Sequence, residues 1–519
     1  MTEPATNRGQ IRPLFVAGSS GVLAAGAALG TGEAVSGLSE RIPSLVVAVA
    51  NVLVDETPGG IVRWSIDTFG ASQKTVLVTG VVIVSLLVGG LLGLAARRDF
   101  ATGAAGFAGF GLIGGWAAAR GTLSSDVASW LSAMLSTGVG IAALRTLLGP
   151  PPGFIPADSA LSRRWFLSTS GAAAFWGATG AAFGSALRRA RNVEGARQEL
   201  AAELGPSPPS AAALVPAGVE TFDELAGIAP LVTPNRDFYR IDTALLSPQV
   251  DPAGWRLRIT GMVDDEVELA FDELLAMERI EEFVTLSCVS NEVGGDLVGN
   301  ALWSGVILSD LLDRAGVQDG ATQIVGRAVD GWTAGFPTEV AYDGRPCLVA
   351  VTMNGEPLPV AHGFPARLVV PGLYGYVSAT KWLTEIELTT LEAFDAYWVP
   401  RGWAKEAPVK TQSRIDVPRH GSAVAAGRVA VAGVAWAPTR TIARVEVRVD
   451  DGPWRDARLS GELSDHAWVQ WVHDWDAEPG SHRLRVRATD GTGETQTGEI
   501  APPAPDGATG HHTIRVEVR

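Results

Sequence analysis

Sulfur is nearly absent from this 519-residue chain, which has two cysteines, Cys288 and Cys347. Two cysteines cannot form a disulfide framework or hold a four-cysteine iron–sulfur cluster. Histidine is also scarce. All seven histidines lie at or beyond His362, so the long apolar runs before residue 190 contain none. Transmembrane b-type haems are usually held by histidine pairs, and no CxxCH occurs, so no haem is expected. Positive charge is in deficit, with 41 Lys and Arg against 56 Asp and Glu for a net charge of −15. That balance argues against nucleic acid as a partner. No glycine-rich dinucleotide fingerprint follows a strand and no P-loop occurs, which removes the commonest nucleotide readings.

Apolar length is abundant but confined to the first 190 residues. Five runs approach the roughly 20 residues that a bilayer core requires: Leu14–Gly30, Thr75–Ala96, Gly103–Ala119, Val127–Leu148 and Phe166–Leu187. A sixth, Ser44–Val54, is too short, and the segment DETPGGIVRWSIDTFG after it reads as interfacial or external. Arg8 and Arg12, Arg97 and Arg98, and Arg145, Arg163 and Arg164 fall on one side of a five-span bundle. The bias of basic residues makes that side cytoplasmic and puts the chain beyond Leu187 outside. The Gly and Ala content suits close helix packing and an anchoring role in lipid. The fifth run begins Ser162-Arg163-Arg164-Trp165-Phe166-Leu167, which resembles a twin-arginine export signal. That route carries folded proteins, which fits a domain that takes up a cofactor before export.

Residues 191–232 read as a linker with one short helix and a Pro-rich extended part. Residues 233–408 mix short strands and helices, as in WRLRITG, AFDELLAM and ILSDLLDRAG, so an α+β domain is expected. Over 409–519, alternating stretches such as RVAVAGVAW, IARVEVRVDDGPW, HRLRVRATD and HTIRVEV predict an immunoglobulin-like β-sandwich. The fold class is therefore multi-domain: an all-α transmembrane bundle over 1–190, then the α+β domain, then the sandwich.

Cys288 closes the run FVTLS and opens the loop VSNEVGGDLVGN. On its own it fits a small buried hydrophobe, a thiol nucleophile awaiting a histidine, a zinc ligand awaiting partners, or a single thiolate on a cofactor metal. The stretch NGEPLPVAHGFPARLVVPGLYGYVSATKWLTEIEL decides among these. Its NG-x-P-LP turn, HGFP-x-R, VPG and KWL runs, in that order after one upstream cysteine, resemble the sulfite oxidase family of molybdopterin enzymes. The resemblance covers roughly Thr233 to the C-terminus and is closest to bacterial membrane-anchored members.

The resemblance implies a molybdenum–molybdopterin cofactor with Cys288 as thiolate ligand. It places His362, Arg367, Ala379, Thr380, Lys381 and Asn235 against the cofactor, and Arg240 and Tyr397 with Cys288 at the reacting centre. By residue type alone, His362 also suits a structural histidine, and Arg367 and Lys381 suit solvated charges. Arg401 and the KTQSRI segment are looser matches. Cys347 has no family role and reads as a core thiol. Where the family has Asn and His after the arginine, this chain has Ile241 and Asp242, and that carboxylate weighs against a purely anionic substrate. The implied activity is two-electron oxygen-atom transfer on a sulfite-like oxyanion or a sulfoxide. Its implied partners are a separate electron carrier and a second copy of the chain. A degenerate, cofactor-free binding or scaffold module on a membrane anchor is the reading from a different class.

Overall fold

Small residues dictate how the N-terminal helices pack. The computed structural model describes residues 8–39, 41–57, 61, 64–65, 68–69, 72–121, 125–149, 160–205 and 208–519. It divides into Met1–Asn192 and Val193–Arg519. In the first unit the described helices are α1 (Arg8–Ser36), α2 (Leu45–Glu56), α3 (Gln73–Arg98), α4 (Phe100–Ala119), α5 (Asp126–Leu147) and α6 (Ala160–Ala190). Helix α1 packs against α3, α5 and α6. A Cβ added at Gly21 would collide with the carbonyl of Gly89, one at Gly30 with that of Gly177, and one at Gly184 with that of Glu33. Only glycine allows backbones so close, and in lipid such contacts drive helix association. Some polar groups on these faces pair across helices. Glu33 meets Arg188 at 2.9 Å, and Trp176 Nε1 donates to Thr31 Oγ1 at 3.0 Å. Asp99 caps α4 by accepting from the amides of Ala101 and Thr102.

Among the described residues, four helices are long and apolar enough to cross a membrane: Leu14–Ser36, Gln73–Arg98, Phe100–Ala119 and Asp126–Leu147. The fifth expected span forms the 31-residue helix α6 but is not one of the four. Ser, Thr and Gly dilute its apolar run. Helix α2, at 12 residues, is too short to cross, as its sequence length predicts. Parts of the segment after it, and the side chains of Arg8, Arg12 and Arg163, lie outside the described residues.

The second unit is α+β with a β-rich C-terminal region. One sheet orders its strands Val267–Ala270, Arg256–Gly261, Leu383–Thr389, Gln323–Ala328 and Thr333–Pro337. A second runs Ile280–Ser287, Val298–Ile307, Leu348–Met353 and Glu356–Pro357, with Arg367–Val369 also pairing on Leu348–Met353. The strand Val298–Ile307 is buried nearly throughout, which explains its unbroken apolar and small character. Beyond residue 409, a four-stranded and a five-stranded sheet share a core that includes Val431, Trp471, Val445, Val447, Leu484 and Ile514.

Residues 191–232 differ from a free linker. Helix Glu194–Leu204 is tied down by Arg197, which donates to the carbonyls of Pro357 and Leu358. Further along, the segment is irregular yet buries Phe222, Leu231 and Val232. The Leu231 carbonyl accepts from both Trp468 Nε1 and Asn300 Nδ2. Apolar side chains spaced through Pro-rich sequence let it pack without regular structure.

Candidate active site

Strand pairing places Cys288 one residue past the end of a hairpin arm. Ser287 opposes Val298 as the last pair, and the ten residues between them form the loop that starts at Cys288. Its amide donates to the Leu297 carbonyl at 2.9 Å and its carbonyl accepts from the Asn291 amide at 3.0 Å. The thiol is buried. Burial pushes its pKa up, while the Ser290 amide and hydroxyl and the Lys381 charge pull it down.

The HGFPAR turn and the KWL run reach the same place by different routes. Gly363, at φ +114°, allows a sharp reversal after His362. A Cβ there would meet Arg367 Cβ at 3.1 Å and Lys381 Cα at 3.1 Å, so the glycine lets these two cationic residues approach one another. Arg367 is buried, lies over the Trp303 ring at 4.9 Å and donates from Nη1 to the His362 carbonyl at 3.1 Å. Among the described residues no carboxylate pairs with it, and burial lowers its pKa to about 10. A buried guanidinium without a counter-charge costs on the order of several kcal/mol, so this pocket suits an anionic group.

His362 stands beside it against the Phe238 ring, with centroids 5.6 Å apart. Its Nε2 lies 3.3 Å from the Asn235 carbonyl, which can only accept, so Nε2 carries the proton. Nδ1 is then a lone-pair acceptor, and it is buried with no partner. Burial and the charges of Lys381, Arg367 and Arg240 push the His362 pKa down to about 3, so the ring is neutral at ordinary pH.

Lys381 Nζ donates to Asp242 Oδ2 at 3.3 Å and to the Ala361 carbonyl at 3.1 Å. The same Asp242 oxygen accepts from Arg240 Nε at 3.0 Å. Asp242 has 5% of its side chain exposed and Lys381 has 12%, whereas Arg240 is 44% exposed at the rim. Burial lowers the Lys381 pKa to about 8, with Asp242 raising it and Arg367 and Arg240 lowering it. Asp330 is a second, half-buried carboxylate in this group, its pKa raised by burial and by Asp242.

The remaining expected residues divide. Thr380 is fully buried, with its hydroxyl on the Gly326 carbonyl and its own carbonyl accepting from Leu368. The Ala379 amide donates to the Gly375 carbonyl, which holds the turn before Lys381. The side-chain amide of Asn235 is occupied by the Met353 carbonyl, Glu356 and Asn354, and only its carbonyl reaches His362. Tyr397 lies under the Arg401 guanidinium, 3.7 Å from the ring centroid, and its amide donates to Thr333. Cys347 is a buried thiol whose sulfur points at the Val340 carbonyl, with its pKa pushed up to about 12 by burial.

Sequence reasoning missed Tyr239. This half-buried side chain stacks its ring on Phe238, and its pKa is raised by burial and by Cys288 but lowered by Arg367. The residue therefore lies electrostatically between the thiol and the guanidinium. Its position beside Arg240 in FYRID was the available signal. Tyr374, whose pKa is pushed to about 12, also feels Cys288.

A family model described as the oxidoreductase molybdopterin binding domain matches residues 244–398. Mitochondrial sulfite oxidase of Homo sapiens is 30% identical over 320 residues, covering 52% of this chain and 58% of the human one. The chain thus spans little more than half the length of these curated relatives. The uncharacterized oxidoreductase YuiH of Bacillus subtilis (strain 168) is 32% identical over 181 residues, covering 35% of this chain and 88% of that protein. The solved sulfane dehydrogenase SoxCD of Paracoccus pantotrophus is 24% identical, with a TM-score of 0.49 over 58% of this chain and 88% of that one. That likeness is too remote to bear on chemistry.

Proposed function

The chain belongs to the sulfite oxidase family of molybdopterin-dependent oxidoreductases, and from that premise we propose that Cys288 is its molybdenum ligand in a membrane-anchored enzyme. The enzyme acts on a small sulfite-like oxyanion or a sulfoxide outside the cytoplasmic membrane. The carrying observation is a buried thiol at a strand end that feels the Lys381 charge, beside a pocket with a buried, counter-charge-free Arg367 and the orphaned Nδ1 of His362.

Those residues fit the cofactor. An anionic, strongly donating thiolate suits a sulfur-ligated high-valent metal, and ligation removes the proton that burial otherwise holds on Cys288. Arg367 and Lys381 supply positive charge for a phosphate, the Arg through a planar fork of donors. His362 Nδ1 offers a lone pair to an N–H donor of the pterin. The bound cofactor supplies the two-electron, oxygen-atom-transferring centre. The chain's own part is to hold that group, exclude water with Phe238, Tyr239 and Trp303, and set charge at the entrance. Arg240, at the rim, is placed to orient a substrate oxygen, and Asp242 offsets its charge. By family resemblance Tyr397 and Arg401 are assigned to the pocket's lining.

Further parts of this reading rest on the sequence. The helices of the first unit anchor the enzyme in lipid, with the twin-arginine-like run at Arg163 and Arg164 directing export. Electrons pass to a separate carrier, the C-terminal sheets form an immunoglobulin-like sandwich, and the enzyme is a homodimer through them.

The test is Cys288→Ser in the full chain, co-expressed with molybdopterin biosynthesis. Turnover with an artificial dye on sulfite and on methyl sulfoxides should vanish, while circular dichroism stays that of the parent. Full turnover in that variant, with molybdenum still bound, would end the ligand assignment.

A further inference from the structure

The loop that begins at Cys288 is held from the C-terminal sheets as well as from its own hairpin. Residues 288–297 carry no strand or helix and include the consecutive glycines Gly294 and Gly295. Such a segment has much conformational entropy to lose. Inside the loop, Asn291 Oδ1 accepts from the Leu297 amide at 2.9 Å, next to the two main-chain bonds of Cys288. From outside, Arg414 on strand Gln412–Val417 donates from Nη1 to the Gly295 carbonyl at 2.8 Å. Its Nε donates to Asp416 Oδ1 at 2.6 Å. The two side chains are only 12% and 9% exposed.

Gly294, at φ +83°, lies against the His512 ring, and a Cβ there would overlap that ring. The ring is itself fixed, because its Nδ1 accepts from the Ile415 amide at 2.9 Å. The strand before Cys288 is gripped from the same region. The Thr285 amide donates to the His466 carbonyl at 3.0 Å, and its hydroxyl accepts from the Trp468 amide at 2.7 Å.

We infer that Arg414 is a positioning residue for Cys288, fixing the 288–297 loop against the C-terminal sheets so that the sulfur faces the Arg367–Lys381 pocket. An ion pair with Asp416 alone would serve only the strand that carries both residues. The second donation, across to a main-chain carbonyl between the glycines and Leu297, serves the loop. The geometry uses the fork of the guanidinium, since one arm holds the anchor and the other holds the loop. The functional meaning of this support rests on Cys288 as the metal ligand, whereas the support itself does not.

The experiment therefore reads the loop without the metal. Full-length, cofactor-free protein is treated with iodoacetamide, and modification of Cys288 and Cys347 is followed separately by peptide mass. Arg414→Ala should raise the Cys288 rate by about tenfold or more, the loss of one charge-assisted bond, and leave Cys347 unchanged. Arg414→Lys, which can reach only one of the two acceptors, should fall between. Gly294→Ala should free Cys288 too, by pushing the loop off His512. Unchanged Cys288 rates in both Arg414→Ala and Gly294→Ala would overturn the inference, and so would a parallel rise at both cysteines, which marks general loosening. Full turnover with molybdenum still bound in Cys288→Ser would end the ligand reading while leaving the alkylation result standing.

Discussion

Replacing Asp242 by asparagine keeps the shape of the side chain and one acceptor oxygen but removes a buried negative charge from beside two cations. Its carboxylate lies 3.3 Å from Lys381 Nζ, where a unit pair in a medium of effective dielectric near 20 attracts by about 5 kcal/mol. Relaxation and the remaining hydrogen bond reduce that, and about 1.5–3 kcal/mol is the usual worth of a bond to a charged group. Each tenfold change in proton affinity is about 1.4 kcal/mol. Lys381 should therefore fall from about 8 to between about 6 and 7 in Asp242→Asn.

The sign runs in opposite directions for folding and for anion binding. Lys381 is held below its ordinary value of 10.5, so in ligand-free protein its buried ammonium opposes folding below about 8. Stability is regained as pH rises from there toward 10.5, where the unfolded chain still binds the proton. An anion in the pocket gains from the same ammonium and loses it as pH rises through about 8. The assay is the rise in melting temperature that sulfate, whose charge is fixed across the neutral range, gives the cofactor-free protein as a function of pH. In the parent the rise should fade through about pH 8. In Asp242→Asn it should fade at least about one pH unit lower. Equal midpoints in the two proteins would refute the idea that Asp242 keeps Lys381 charged.

Two further outcomes are expected from the first unit. Gly184→Leu places a side chain against the Glu33 carbonyl of α1, and overpacking of this kind costs about 1–3 kcal/mol, so detergent-solubilised protein should melt earlier; an unchanged melting curve would deny the close helix contact. Lys in place of both Arg163 and Arg164 should leave the earlier helices inserted and strand the second unit in the cytoplasm; protease added from outside should then fail to cut it, and cleavage as in the parent would count against the export signal.

The site was legible where chemistry forces neighbours in sequence. The HGFPAR and KWL runs announce themselves because a left-handed glycine and a guanidinium in one turn must meet an ammonium from a run not far down the chain. The C-terminal strands were legible by simple alternation, since each has one face on a shared core. What resisted was long-range pairing. Asp242 stands out in sequence only as a departure, and its partner Lys381 lies 139 residues away. Beyond its place next to Arg240, Tyr239 gave little signal, because a partly buried aromatic looks like core until the charges it feels from Cys288 and Arg367 are placed. The Asn235 amide serves the Asn354 turn, a use that residue type alone does not disclose. The segment before residue 233 reads as extended because proline suppresses periodicity, yet its few large apolar residues suffice to pack it.

The contact of Gly294 with His512 has a consequence for the order of events during synthesis. Cys288 leaves the ribosome long before the chain that will brace its loop. Until the stretch around Arg414 and then His512 has been made and has found its sheet, the loop is an open hairpin end with a flexible, reactive thiol. The settled conformation of the loop around Cys288 is thus a late product of folding. This means that a chain broken off shortly before His512 would have every residue named for the pocket and still lack part of what holds its loop in place.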